Sequence, residues 1–168
     1  SNFSNKMLII VSIIFFYYLP LLFPKKINII FKTEKSFYFI IAIFLLVLTN
    51  IIFFNYKVVF TGGGIFFLAS NYIFDNNYLF YLVAFFAYFI FFIKFFNYNN
   101  LSIIILLIIT NPQLTIYHKY YDPLLVFLFF TIFDFGIKKE YFNMKNISLW
   151  YLFYIFLISI GFYKMYYI

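Results

Sequence analysis

The chain has 168 residues, of which 67% are hydrophobic and 10% charged, and its formal net charge is +7. An ordinary globular domain is about 45–50% apolar and about 25% charged, and a domain of this length still leaves roughly 30% of its surface in water. The composition therefore excludes a soluble enzyme, a disordered tail and a disulfide-rich secreted module, and the absence of cysteine also removes thiolate metal sites and cysteine nucleophiles.

The basic balance comes from twelve lysines and no arginine against five acids. The lysines are scattered between apolar runs and form no stripe, and base-reading arginines are missing, so nucleic acid is not the expected partner. Lysines at the ends of apolar runs instead set membrane orientation. The 31 Phe and 18 Tyr residues, with abundant Ile, Asn and Lys, have AT-rich codons in common. They point to an AT-rich bacterial genome rather than to an aromatic function, although tyrosines at run ends suit interfacial anchoring. The chain begins at Ser1, which suggests a processed start or a piece of a longer membrane protein, its C-terminal part.

A helix needs about 20 apolar residues, with a range near 17–25, to cross a hydrocarbon core of roughly 30 Å. Six stretches qualify in chain order. Met7–Phe23 carries Pro20 near its exit and is followed by Pro24, Lys25 and Lys26 rather than by a cleavage site. Ser36–Phe54 and Tyr78–Phe96 follow, the latter with Lys94 placed to snorkel. Leu101–Tyr117 is interrupted by Asn111-Pro112-Gln113, Pro123–Ile137 is short and carries Asp134, and Ile147–Tyr163 completes the series. Between the second and third, Thr61–Phe74 opens with Gly62-Gly63-Gly64 and stops at Asp75-Asn76-Asn77. It is too short to span and reads as a re-entrant or interfacial helix. The predicted architecture is all-α: one transmembrane helical domain over residues 1–168, a polytopic bundle of about six spans plus that short helix.

If the glycine segment does not cross, the side opposite the N-terminus holds Lys25, Lys26, Lys32, Lys35, Lys94, Lys138, Lys139 and Lys145, against Lys6, Lys57, Lys119 and Lys164 on the N-terminal side. The richer side is then cytoplasmic, and the protein belongs in the cytoplasmic membrane. Two polar connections fall on the outer side: Tyr56-Lys57 through the triple glycine to Asp75-Asn76-Asn77, and Asn111 through Pro123.

The second connection holds the only histidine. Pro112 and Pro123 each disfavour helix at the preceding residue, and Asp122 is then either the N-cap of the next helix or, beside His118 and Lys119, part of a polar pocket at the bilayer edge. His118 either carries protons or binds an anion, or is an interfacial residue among tyrosines. Lys119 either neutralises a lipid phosphate as a point charge or contacts headgroups generally. A lone histidine without clustered acids argues against a metal site, and no cofactor is implied. The triple glycine lacks the Lys-Ser/Thr of a phosphate-binding loop; it is a flexible turn into a short helix or a place of close backbone approach to a ligand. Asp75 ends that helix or faces the pocket. Asp134 and Lys138 have i,i+4 spacing for an ion pair, and Glu34 and Glu140 sit among lysines as solvated charge.

The stretch Ile116 to Leu125, with its Tyr117-His118-Lys119-Tyr120-Tyr121 cluster and then Asp122-Pro123-Leu124-Leu125 opening an apolar helix, resembles the late membrane helices of polytopic glycosyltransferases with the GT-C fold. The similarity covers about a third of the chain, with Thr61 to Phe67 as an earlier extracytoplasmic segment. It implies a membrane glycosyltransferase using a polyprenyl-phosphate-linked sugar at the extracytoplasmic face, with His118, Lys119, Asp122, Tyr117 and Asp75 as substrate-binding residues. The family carries more spans and an acidic catalytic residue in an early outer loop; the first loop here is short, lysine-rich and assigned to the cytoplasm, so no catalytic acid maps onto this chain. The alternatives are a non-catalytic membrane protein, such as a flippase-like carrier or an assembly subunit, and a channel. Membrane lipids are partners in every case.

Overall fold

The computed structural model describes residues 2–22, 34–57, 62–94, 98–110, 116, 121–133 and 144–167. The described residues form seven helices: α1 (Asn2–Leu22), α2 (Glu34–Ile52), α3 (Gly64–Phe74), α4 (Tyr78–Lys94), α5 (Tyr98–Ile109), α6 (Asp122–Thr131) and α7 (Met144–Tyr167). No strand occurs among them beyond a single bridging residue at Gly62. The all-α architecture follows from uninterrupted apolar runs, in which a helix satisfies every internal backbone group within the segment.

The chain divides into two units, one of Ser1–Tyr17 and Ile29–Phe135, the other of Tyr18–Asn28 and Gly136–Ile168. In the first unit α1 is the core element. Leu8 to Tyr17 are buried without a break, the behaviour of a helix that is apolar on every side. The Phe15 ring meets Phe66 of α3 at 6.3 Å and Phe91 of α4 at 6.5 Å. Where α1, α4 and α5 come together, Val11, Tyr88 and Ile104 help line an apolar cavity of about 30 Å³.

Ring contacts also fix the direction of the helices. Phe44 of α2 meets Phe85 of α4, whereas Phe54, just past α2, meets Phe80 and Tyr81 near the start of α4. The two helices are therefore antiparallel, and the segment between them starts and finishes at the same end of the unit. Asn5 of α1 bonds Asn55 at that end as well. On its inner face α2 buries Ile43, Val47 and Asn50, and on the outer it exposes Ile41, Phe44, Leu45, Leu48 and Ile52.

The second unit contributes α7, whose 24 residues form the longest helix among the described residues. Leu152, Ile155, Phe156 and Ile158 are exposed along it, while Trp150, Phe153 and Tyr154 are half-buried.

The boundaries bear out the architecture as all-α and correct two expected spans, the fourth and the fifth. Among the described residues one helix, α1, holds an 18-residue stretch, Phe3–Pro20, long and apolar enough to cross a membrane. Among the described residues the fourth expected span, Leu101–Tyr117, is helical as part of Tyr98–Ile109, 12 residues and about 18 Å. It stops before Asn111-Pro112, where the proline disfavours helix at its predecessor, and Ile116 lies outside any helix. Among the described residues the fifth, Pro123–Ile137, is helical within the ten residues of α6, with Ile132 as its C-cap.

Candidate functional site

The first polar connection is built from local signals that run down α2 and restart the chain as α3. Phe53 and Phe54 donate their N–H groups to Thr49 and Ile51 carbonyls as the helix ends. Asn55 is then held by a reciprocal pair: Asn5 Nδ2 donates to Asn55 Oδ1 at 2.9 Å, and the Asn55 main-chain N–H donates to Asn5 Oδ1 at 3.0 Å. Asn5 is buried, so both its amide nitrogen and its amide oxygen have a partner where an unsatisfied group would be costly.

Gly63 and Gly64 stand at φ 91° and 80°, the left-handed region that L side chains avoid. A Cβ on Gly63 would run into the Phe67 ring, and one on Gly64 would lie 3.0 Å from Ile13 Cγ1. The glycines thus allow α3 to begin against Ile9 and Ile13, roughly 10–16 Å along α1 from its first residue. From there α3 runs back to the end where α4 starts. Phe67, fully buried, is enclosed by the rings of Phe54, Tyr56 and Phe80 at 5.2–5.8 Å.

The turn into α4 is stitched by side chains. Ser70 Oγ donates to the Asn76 carbonyl at 2.6 Å and accepts the Phe80 N–H at 3.2 Å. Asn71 Nδ2 donates to Asn77 Oδ1, and Asn76 Oδ1 accepts the Tyr78 N–H. These bonds satisfy first-turn donors of α4 that a helix cannot satisfy itself. Asp75 closes α3 as its C-cap in the left-handed conformation, φ 53°, donating its N–H to the Asn71 carbonyl, and the residue is exposed.

The second connection meets the first through one residue. Gly63 donates its N–H to the Ile116 carbonyl at 2.8 Å, and Ile116 donates its own to the Tyr56 hydroxyl at 3.3 Å. Ile116 is 1% exposed, so the junction is dry. The structure therefore joins Ile116, a described residue of the second connection, to Gly63 and Tyr56 of the first. Tyr117, His118 and Lys119 follow Ile116 in the chain but lie outside the described residues, as do the spaced pair Asp134 and Lys138, and Glu140.

Asp122 is not the N-cap. Tyr121 takes that position, its carbonyl accepting the Leu125 N–H at 2.8 Å, and Asp122 is the first helical residue. Pro123 is tolerated in that first turn because a proline lacks a donor there, but it does not cause the shift, since it disfavours helix at the residue before it. A carboxylate in that turn still complements the helix dipole.

The chemistry this end offers from described residues is amide and hydroxyl hydrogen bonding together with the cations Lys6 and Lys57 and the exposed carboxylate of Asp75. No group of three His, Cys, Asp or Glu gathers among the described residues. Sequence reasoning missed the Asn5–Asn55 pair and the Ser70 stitch. The signal was present as polar residues inside apolar runs, which must find partners when buried. Comparison with protein-family models, with curated proteins and with solved structures gives no match.

Proposed function

We propose that the chain is a polytopic integral membrane protein of the cytoplasmic membrane, with α3 as a re-entrant arm. Its joined connections form an extracytoplasmic binding end for a polyprenyl-phosphate-linked sugar, the role that the resemblance of Ile116 to Leu125 implies. The membrane part of this reading is supported by apolar side chains turned outward along whole helix faces. Ile41, Phe44, Leu45, Leu48 and Ile52 recur at helical spacing on α2, and Leu124 and Phe127 on α6 are likewise exposed. A soluble monomer rarely exposes a contiguous apolar patch of more than a few hundred Å², whereas lipid tails accept one.

The observation that carries the binding end is the Gly63–Ile116–Tyr56 junction. It joins the residue two before His118 to the glycine turn, which supports reading the two polar connections as parts of one end. Lys119 would neutralise the donor phosphate as a point charge and His118 would bind or protonate it. No catalytic acid is assigned.

The test measures retention of a polyprenyl-phosphate sugar by the detergent-solubilised chain, and sugar transfer in membranes, for His118→Ala, Lys119→Ala and Asp122→Ala. Loss of retention in the first two supports the reading. Unchanged retention and transfer in all three removes it and leaves a carrier or assembly subunit.

A further inference from the structure

We propose that the turn between α3 and α4 is a membrane-inserting tip, seated where lipid headgroups meet acyl chains. Its polarity is the reverse of a turn in water. Tyr72, Ile73, Phe74 and Tyr78 are 57%, 68%, 54% and 77% exposed, while the amide side chains around them are spent inside the turn. Asn76 Nδ2 donates to the Phe74 carbonyl at 2.7 Å and Asn76 Oδ1 accepts the Tyr78 N–H at 3.0 Å, so one side chain ties the main chain of both exposed aromatics together. Asn71 Nδ2 is shared between the Phe67 carbonyl and Asn77 Oδ1.

A turn in water can leave its main-chain groups to solvent. A turn that leaves water cannot, because irregular backbone beside lipid persists only where the protein satisfies it. Here the Phe74 and Asn76 carbonyls and the Asp75, Tyr78 and Phe80 N–H groups all have partners within α3, the turn and the start of α4. Outward apolar side chains and an internally satisfied main chain are separate observations, and both call for a dry, apolar neighbour. Lipid is at hand on this level. The exposed apolar face of α2 continues to Ile52 and Phe53, and the next residue, Phe54, packs on Phe80 and Tyr81 at the start of α4, so lipid covering α2 reaches the end where the tip lies. Asp75 limits the depth. It is exposed, and a carboxylate is costly at the bilayer centre, so the tip halts at the interface, where tyrosine rings also settle. The inference rests on the membrane-embedded reading but not on the sugar donor.

The experiment reconstitutes the full chain in vesicles of phosphatidylethanolamine and phosphatidylglycerol, with a nitroxide on Phe74→Cys or Tyr78→Cys. Relaxation by oxygen is compared with relaxation by a water-soluble nickel chelate, and labels on Leu45→Cys and Lys57→Cys serve as the lipid and water references. Each variant is first shown to melt like the unmodified chain. Both tip labels are expected about 5–10 Å into the headgroup–acyl boundary, between the two references, with loss of most of the nickel relaxation seen at position 57. Asn76→Ala releases the Phe74 carbonyl and the Tyr78 N–H and is expected to shift both labels toward water; no shift overturns the part given to the bonded turn. Nickel relaxation at the tip equal to that at position 57, with position 45 still in lipid, overturns the proposal and leaves the turn in water. Tip labels shielded from both relaxants overturn it in favour of a protein partner or a second copy of the chain. Nickel relaxation at position 45 as well fails the underlying membrane reading, and the tip with it.

Discussion

At the scale of single residues, the tightest constraint is Gly63. Its left-handed φ costs a non-glycine residue about 1–2 kcal/mol, and the Phe67 ring occupies the space a Cβ would need. Gly63→Ala is expected to lower the melting temperature in detergent by more than an exposed alanine substitution such as Tyr78→Ala, as thermal unfolding would show. Ser70 is the second constraint. It is fully buried and makes two bonds, one to the Asn76 carbonyl and one from the Phe80 N–H. Ser70→Ala strands both groups, an effect of about 1–3 kcal/mol, and amide exchange at Phe80 should quicken. Neither role was readable from the sequence in full. The triple glycine announced a turn, but which glycine carried the strain depended on Phe67 arriving from the next turn of α3. Asp122 departs from the expectation too: capping preference and Pro123 both pointed to it as the N-cap, and the helix instead starts one residue earlier, with Tyr121 as its N-cap.

At the scale of elements, α3 is the part the sequence described best. Eleven residues between a glycine turn and Asp75-Asn76-Asn77 cannot cross a bilayer. The antiparallel α2 and α4 return the chain to one end, as the length argument required. Single cysteines replacing Lys57 and Asp75, both exposed, should therefore react with an impermeant maleimide from the same side of the membrane. Reaction from opposite sides would mean that α3 crosses. The chain has no native thiol to confuse the reading. The elements read least well were the fourth and fifth spans. Hydropathy counts apolar residues through Asn111-Pro112 and past Thr131, whereas a helix is set by its backbone bonds. Proline restricts its neighbour, and α6 ends where Ile132 and Phe133 both return their N–H groups to the Leu128 carbonyl.

At the scale of the molecule, the outward apolar faces distinguish this chain from an ordinary soluble bundle. On α2, Leu45 is 56% exposed and Val47 2%. A nitroxide at position 45 should collide with oxygen dissolved in lipid and be shielded from a water-soluble relaxant, while one at Lys57 should show the reverse. Similar aqueous accessibility at both positions would contradict lipid burial of α2. Composition was enough to forecast an excess of apolar residues, but not their sorting. The buried run Leu8 to Tyr17 and the half-exposed α2 are nearly equally greasy as text, and only packing against Phe66 and Phe91 makes the first of them a core.

The junction at Ile116 has a practical consequence for mutagenesis. Two of its three participating groups are main-chain atoms, the Gly63 amide and the peptide of Ile116 itself, so conventional side-chain truncation across the second connection would leave those atoms in place and report the region as tolerant. Tyr56→Phe deletes the acceptor hydroxyl and Ile116→Pro deletes the donor, so each breaks the second bond, while the Gly63 N–H bond to the Ile116 carbonyl survives both. An alanine scan confined to the second connection would miss this tether between the described residues of the two connections.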